Sequence, residues 1–193
     1  MPSISAHMVC AKLVSNNIPN LGDDFIIGNI LPDIMDDNNK SHMKMRDSIY
    51  LIPNLEEASK ILDLSKEIYL GYLSHLLLDK HFLSDYLSKI YPDNIFIDGI
   101  IYKDYDIFNK DLISDYNLDI NYIEKVLLSF KDDSININKL NCNINCLKNI
   151  TYGDTKYLDY NDFNRFLNEY SNIISEELID YENKYRKLHI HSR

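Results

Sequence analysis

Apolar residues recur along the chain at helical spacing, in runs separated by short stretches rich in Asn, Asp and Ser. Alternating apolar and polar runs, which are typical of half-buried strands, are few. The 5 Gly and 5 Pro in 193 residues are also low for an all-β protein. The pattern predicts an all-α fold, with the whole chain, residues 1–193, forming one multi-helix domain.

The beginning of the chain predicts one helix, which is followed by a short apolar segment. Ser3 or Ser5 can cap a helix that runs to about Val14. A second apolar segment, Phe25 to Leu31, is followed by Pro32. Because proline restricts the residue before it away from helical backbone angles, this segment is expected to end there.

A long polar loop is predicted at residues 33–53, with Asp33 as its first residue. Asn54, followed by two acidic residues that suit a helix N-terminus, starts the next helical stretch. This stretch is expected to continue to Tyr91, with a break near Asp63.

The second half of the chain predicts three further helices. Residues 104–116 and 120–131 have the apolar spacing of two amphipathic helices. Residues 136–149 form an Asn-rich connection whose structure the pattern does not define. Asp159 can cap a long final helix, with apolar residues at helical spacing from Phe163 to Tyr181.

Composition limits the classes of partner. The formal net charge of −10 argues against a basic nucleic-acid-binding surface, so none is expected. No apolar run approaches membrane-spanning length, so no transmembrane segment is expected. The first twenty residues also lack the charged start and apolar run of a signal peptide. These features predict a soluble, cytoplasmic protein.

His75 and Asp79 are the most informative residues, because they lie four positions apart in the most apolar stretch of the chain. On a helix this spacing places both side chains on one face, among apolar neighbours. A buried carboxylate needs a partner, and the nearby Lys80 and His81 project from other faces. A bound metal ion is therefore the sharper hypothesis.

Three upstream residues could point into the same site: His7 on the inner face of the first helix, Asp33 after Pro32, and His42 in the loop. Imidazole and carboxylate groups are the ligands of zinc or a similar divalent ion at hydrolytic sites. Five ligands are too many for one tetrahedral zinc, so one or two ions are expected. The alternatives are a hydrogen-bonded core histidine for His7 and a turn residue for Asp33.

Other charged residues lie close to these candidates in sequence. Lys40 and Arg46 flank His42 and could hold a substrate phosphate, although solvated loop charges are the alternative. His81 and Asp85 repeat the four-residue spacing, but they are expected to face away from the metal site.

The chain resembles the zinc-dependent phospholipase C family, which is related to the S1/P1 nucleases, and especially its short, unsecreted bacterial members that begin Met-Pro-Ser. The resemblance covers roughly residues 1–90 and leaves 91–193 as a helical remainder. The motifs that carry it, in chain order, are His7, Gly28-Asn-Ile-Leu-Pro-Asp33, Ser41-His42 and Gly71-Tyr-Leu-Ser-His75-Leu-Leu-Leu-Asp79.

The resemblance implies an all-α fold of the phospholipase C and P1 nuclease type. It also implies that one zinc is surrounded by Asp33, His42, His75 and Asp79, and that a second is held by His7 and the shared Asp79. The family's downstream His-x-x-x-Glu, which completes a third zinc site, does not occur in this chain.

The predicted function is a metal-dependent phosphoesterase that acts on a small phosphoester or a phospholipid. Asp33 is the candidate to orient or deprotonate the attacking water. The alternative is a non-catalytic helical module with a structural metal ion and a partner-binding role. An open coordination position would favour the enzyme, and a closed four-ligand shell would favour the structural ion.

Overall fold

The computed structural model describes residues 2–47, 50–91, 100–149 and 151–190. Helix accounts for 73% of the chain and strand for 4%, which confirms the predicted all-α class. None of the helices in the described residues combines the length and the apolar composition that a membrane crossing needs.

Ten α-helices, one π-helical segment and one hairpin make up the described part of the chain. The helices are α1 (Ile4–Asn17), α2 (Asp23–Ile34), α3 (Asn38–Ser41), α4 (Leu55–Ile61), α5 (Glu67–His81), α6 (Ser88–Ile90), α7 (Ile100–Asp115), α8 (Ile120–Ser129), α9 (Ile137–Lys148) and α10 (Tyr160–Ile190). The π-helical segment, Phe82–Leu87, joins α5 to α6 directly. The hairpin pairs β1 (Lys44–Asp47) with β2 (Tyr50–Pro53) in antiparallel orientation.

Several helix starts and one helix break lie where the sequence predicts them. Ser3, Asn54 and Asp159 each accept a hydrogen bond from a backbone N–H in the first turn of α1, α4 and α10, respectively. Such bonds satisfy N–H groups that have no partner within the helix. The break expected near Asp63 is also confirmed, because this residue lies between α4 and α5.

The prediction of a loop at residues 33–53 is wrong. Pro32 lies inside α2, and Asp33 occupies the last turn of this helix rather than a loop. The helix continues past the proline because its last turn places Ile34 in the core, where its side chain is fully buried. The rest of the segment contains α3 and the hairpin.

The Asn-rich connection at residues 136–149 is helix α9. Asn136 caps it by accepting a hydrogen bond from the backbone N–H of Lys139. Leu140, Ile144 and Leu147 follow at helical spacing, and all three are buried.

Helix α5 lies at the centre of the fold, where α1, α2, α4 and α10 pack against it. All of its residues from Gly71 to Asp79 are buried, so the polar side chains in this stretch lie in the core. The backbone of α2 approaches α5 closely at two glycines. A Cβ atom on Gly71 would lie 2.1 Å from the carbonyl oxygen of Phe25, and one on Gly28 would lie 1.8 Å from that of Ile68.

Gly71→Ala is expected to lower the free energy of unfolding by about 3 kcal/mol, because the added methyl group would overlap the backbone of α2. Urea unfolding followed by circular dichroism measures this change. Gly22→Ala is the matched control, since a Cβ atom there would lie 3.5 Å from its nearest neighbour, in ordinary contact. Equal unfolding free energies for the two variants would show that α2 can shift away from α5 without cost.

Candidate metal centre

The structure brings together all five side chains that the sequence singles out. They come from four elements: His7 from α1, Asp33 from the end of α2, His42 from the residue after α3, and His75 with Asp79 from α5. Four of the five side chains are fully buried, and only Asp33 among them is partly exposed, with 16% of its side chain accessible. Asp33 therefore lies at the edge of the cluster, where solvent can reach it.

The two carboxylate oxygens of Asp79 face different histidines. Its Oδ2 atom lies 3.5 Å from His75 Nε2 and 3.9 Å from His42 Nε2. Its Oδ1 atom lies 3.5 Å from Nε2 of His7, whose ring stacks on that of His75. On the outer side, His42 Nε2 lies 3.3 Å from Asp33 Oδ1.

These separations are long for hydrogen bonds, which have a typical N···O distance of about 2.9 Å. They are close to the separation of about 3.3 Å between neighbouring ligands of a tetrahedral zinc, whose bonds are about 2.0–2.1 Å long. Both Asp79 oxygens, both His7 nitrogens and His75 Nε2 are buried without a hydrogen-bond partner among the described residues. Because such burial is unfavourable without compensation, the donor set fits a metal ion.

Backbone carbonyls orient two of the histidines. His75 Nδ1 lies 2.8 Å from the carbonyl oxygen of Asn29, and His42 Nδ1 lies 2.8 Å from that of Asn38. Since a carbonyl oxygen only accepts, each Nδ1 carries the proton and donates it. The Nε2 atom of each neutral ring is therefore left with a lone pair toward the carboxylates, as a metal ligand requires.

The segment around His42 is tied to three neighbouring helices. Ser41 Oγ donates a 2.8 Å hydrogen bond to the carbonyl oxygen of Pro32 in α2, and Tyr72 of α5 donates its hydroxyl to the carbonyl oxygen of Ser41. Lys139 of α9 donates to the backbone carbonyls of Met35 and Asp36 and to the side-chain amide oxygen of Asn38, the first residue of α3. These bonds hold His42 against α5 although it lies at the end of a four-residue helix.

The histidines keep both carboxyl groups ionised. Burial opposes the charged form of Asp79, but the neighbouring imidazoles of His75 and His7 hold its pKa well below the usual value. Burial also opposes ionisation of Asp33, and the nearby imidazoles of His75 and His42 still hold its pKa below the usual value. Both groups are therefore anionic ligands at neutral pH.

The donors divide unequally between two positions. Three-residue groups that could hold an ion are His7 with His75 and Asp79, and Asp33 with His42 and His75. Since Nδ1 of His75 is bonded to a carbonyl, its remaining nitrogen can serve only one ion. If His75 serves the outer ion, that position takes four donors, which come from Asp33, His42, His75 and one oxygen of Asp79. The other position then takes His7 and the second Asp79 oxygen.

A cleft of about 270 Å³ reaches the cluster at Asp33. The start of α1 forms one wall, and α7 and α9 contribute the other polar and aromatic side chains, including Tyr105, Asp106, Asn109 and Cys146. The sequence did not point to Tyr105, Asp106 or Asn109, because none of these three belongs to a motif. The Asn29 carbonyl carries no signal in the sequence either, since every residue has one.

His81 and Asp85 lie apart from the cluster, as predicted. His81 Nδ1 lies 2.7 Å from Asp85, and its Nε2 lies 2.8 Å from Glu177 of α10. Partial burial works against the charged imidazole, but the two carboxylates raise the pKa of His81. The contacts form an ion triad that links α5 to α10.

The two basic residues predicted near a substrate phosphate have different outcomes. The Lys40 side chain is 88% exposed and lies 3.6 Å from Asp37, and it is not among the residues that line the cleft. The role of Lys40 in phosphate binding therefore stays a prediction. Arg46 belongs to β1, and its side chain lies outside the described residues.

Comparison of the chain with models of known protein families finds no match, and comparisons with curated proteins and with solved structures find none either. The geometry of the site and the sequence motifs therefore carry the functional argument.

Proposed function

We propose that the protein is a metal-dependent phosphoesterase, similar to the phospholipase C family that its motifs resemble. The observation that carries this proposal is the junction at Asp33, where a buried set of metal donors meets a cleft. A purely structural ion needs no access to a cavity, whereas a hydrolytic site must admit a substrate and water.

The donor set favours zinc. The main position offers two imidazole nitrogens, from His42 and His75, and two carboxylates, from Asp33 and Asp79. Mixed nitrogen and oxygen donors without a thiolate suit zinc and neighbouring divalent metals. The two negative charges of the carboxylates balance the charge of one divalent ion, which removes the penalty of burying them. A second ion would bind more weakly, at His7 and Asp79.

Asp33 is the proposed general base. When bound, zinc lowers the pKa of a coordinated water to about 7 and neutralises negative charge on phosphoryl oxygens. Asp33 is ionised, lines the cleft and keeps one carboxylate oxygen beside His42. Its other oxygen can accept a proton from a water molecule that attacks phosphorus.

The dimensions of the cleft favour small substrates. A volume of about 270 Å³ lies just below the range of typical small-molecule sites, about 300–1,000 Å³. A small phosphoester or the head group of a phospholipid fits this space. Carboxylates line the cleft at Asp33 and Asp106, so the site does not favour substrates with several additional phosphates.

The alternative function is a module with a structural metal ion, and the count of donors favours it. Asp33, His42, His75 and Asp79 can close a tetrahedral shell around one ion, which is typical of structural zinc. In such a module no water would bind the ion, and Asp33 would act only as a ligand.

Metal analysis followed by a substrate panel tests the proposal. After incubation with zinc, manganese or iron and removal of the excess, we expect one to two equivalents of metal and a higher melting temperature. The loaded protein should then hydrolyse a nitrophenyl phosphodiester, a phosphomonoester or a phospholipid. A loaded but inert protein would favour the structural ion. Absence of metal uptake, with an unchanged melting temperature, would reject both functions.

A further inference from the structure

Tyr105 of α7 combines a buried ring with an unsatisfied hydroxyl group. The residue is 2% exposed, and its ring packs against those of Phe82 and Phe163. Its hydroxyl group has no hydrogen-bond partner among the described residues. The residue also lines the cleft to which Asp33 contributes.

Folding does not account for this hydroxyl group. A buried polar group without a partner destabilises a protein, and phenylalanine would give the same ring packing without that penalty. The hydroxyl group is therefore available to donate a hydrogen bond to an acceptor on a bound ligand. Because Tyr105 lines this cleft, a ligand bound there would lie beside the residue.

The surroundings indicate the chemistry of the acceptor. Burial raises the pKa of Tyr105, and the charges of Tyr102 and Asp79 raise it further, so the group remains an O–H donor. The phosphoester proposed above would bring oxygens with negative charge to the Asp33 end of the same cleft. Hydrogen bonds to ionised acceptors are roughly twice as strong as those between neutral groups. A single hydroxyl donor can therefore contribute measurably to binding of a charged phosphoryl group.

We propose that the Tyr105 hydroxyl group donates a hydrogen bond to a non-bridging phosphoryl oxygen of the ligand in the cleft. The inference rests on the proposed function, because it needs a phosphoryl group at the Asp33 end of the site. Tyr105 would then be a substrate-binding residue supplied by α7, outside the motifs of the first 90 residues.

Tyr105→Phe tests the proposal, because it removes only the hydroxyl group. Tyr86→Phe is a matched control: the Tyr86 hydroxyl group is also buried with no hydrogen-bond partner in the described part of the chain, and its ring also packs on Phe82 and Phe163. Tyr86 does not line the cleft that reaches Asp33. Both variants thus remove an unpaired hydroxyl group from one aromatic cluster, at different distances from the site.

The measurement is the affinity of zinc-loaded protein for inorganic phosphate, by titration calorimetry after dialysis against zinc-free buffer. We expect Tyr105→Phe to weaken phosphate binding about tenfold or more, with unchanged zinc content. Tyr86→Phe should bind phosphate as the wild type does. Neither variant should lower the melting temperature in the absence of phosphate.

Four outcomes would overturn the inference. Equal phosphate affinity in Tyr105→Phe and the wild type would show that the hydroxyl group does not touch the ligand. A lower melting temperature for Tyr105→Phe without phosphate would indicate a structural role. Zinc-loaded wild-type protein that binds no phosphate would also contradict it. A wild type that takes up no zinc would overturn the proposed function as well, so the two failures are distinguishable.

Discussion

His75→Ala is expected to weaken zinc binding by at least about 100-fold and to remove the thermal stabilisation that zinc confers. His75 belongs to both groups of residues that could hold an ion, so its loss leaves neither group complete. Loss of an outer-shell partner alone typically lowers metal affinity 10–100-fold, and loss of a ligand should exceed this. Zinc stoichiometry by elemental analysis and melting curves with and without zinc measure the effect.

His81→Ala is the matched control for this experiment. His81 lies in the same helix and is also largely buried, but its partners are Asp85 and Glu177. The control should lower the stability of the zinc-free protein by breaking the ion triad, while the zinc content stays at the wild-type value. If His81→Ala loses zinc and His75→Ala keeps it, the metal lies on the other face of α5.

Asp33→Asn is expected to reduce kcat by about 100-fold or more, the usual contribution of a general base. Most of the metal should remain bound, because His42, His75 and Asp79 still offer three donors. The amide keeps the size of the side chain but cannot accept a proton from water. Turnover of a nitrophenyl phosphodiester and zinc content, measured on the same preparation, separate these two effects.

Asp106→Asn provides the control for the cleft, since Asp106 lines the same cavity and undergoes the same change. The kcat of the Asp106→Asn variant should stay near that of the wild type. Parallel loss of zinc and turnover in Asp33→Asn would make Asp33 a ligand only, as the structural-ion alternative requires. Unchanged turnover would exclude Asp33 from the chemistry altogether.

The sequence by itself determined the features that depend on local spacing. His75 and Asp79 share one face of α5 because four residues make about one helical turn. The caps at Ser3, Asn54 and Asp159 are short-range hydrogen bonds, so the residue types identify them. The fold class followed from the same helical period along most of the chain.

The local rules failed where long-range packing outweighed them. The restriction that Pro32 places on its neighbour gave way to the burial of Ile34 in the last turn of α2. In α9 the helical spacing of Leu140, Ile144 and Leu147 was already in the sequence, but the many Asn residues concealed it.

Only the tertiary structure decided how the donors meet. The two oxygens of Asp79 face His7 on one side and His42 with His75 on the other, which depends on how α1 and α3 pack against α5. The cleft at Asp33 is likewise formed by helices distant in sequence, and Tyr105 contributes from α7. Periodicity places a side chain on a face of its own helix. The distance between faces depends on side-chain volumes and glycine contacts between segments far apart in sequence, and no local pattern records them.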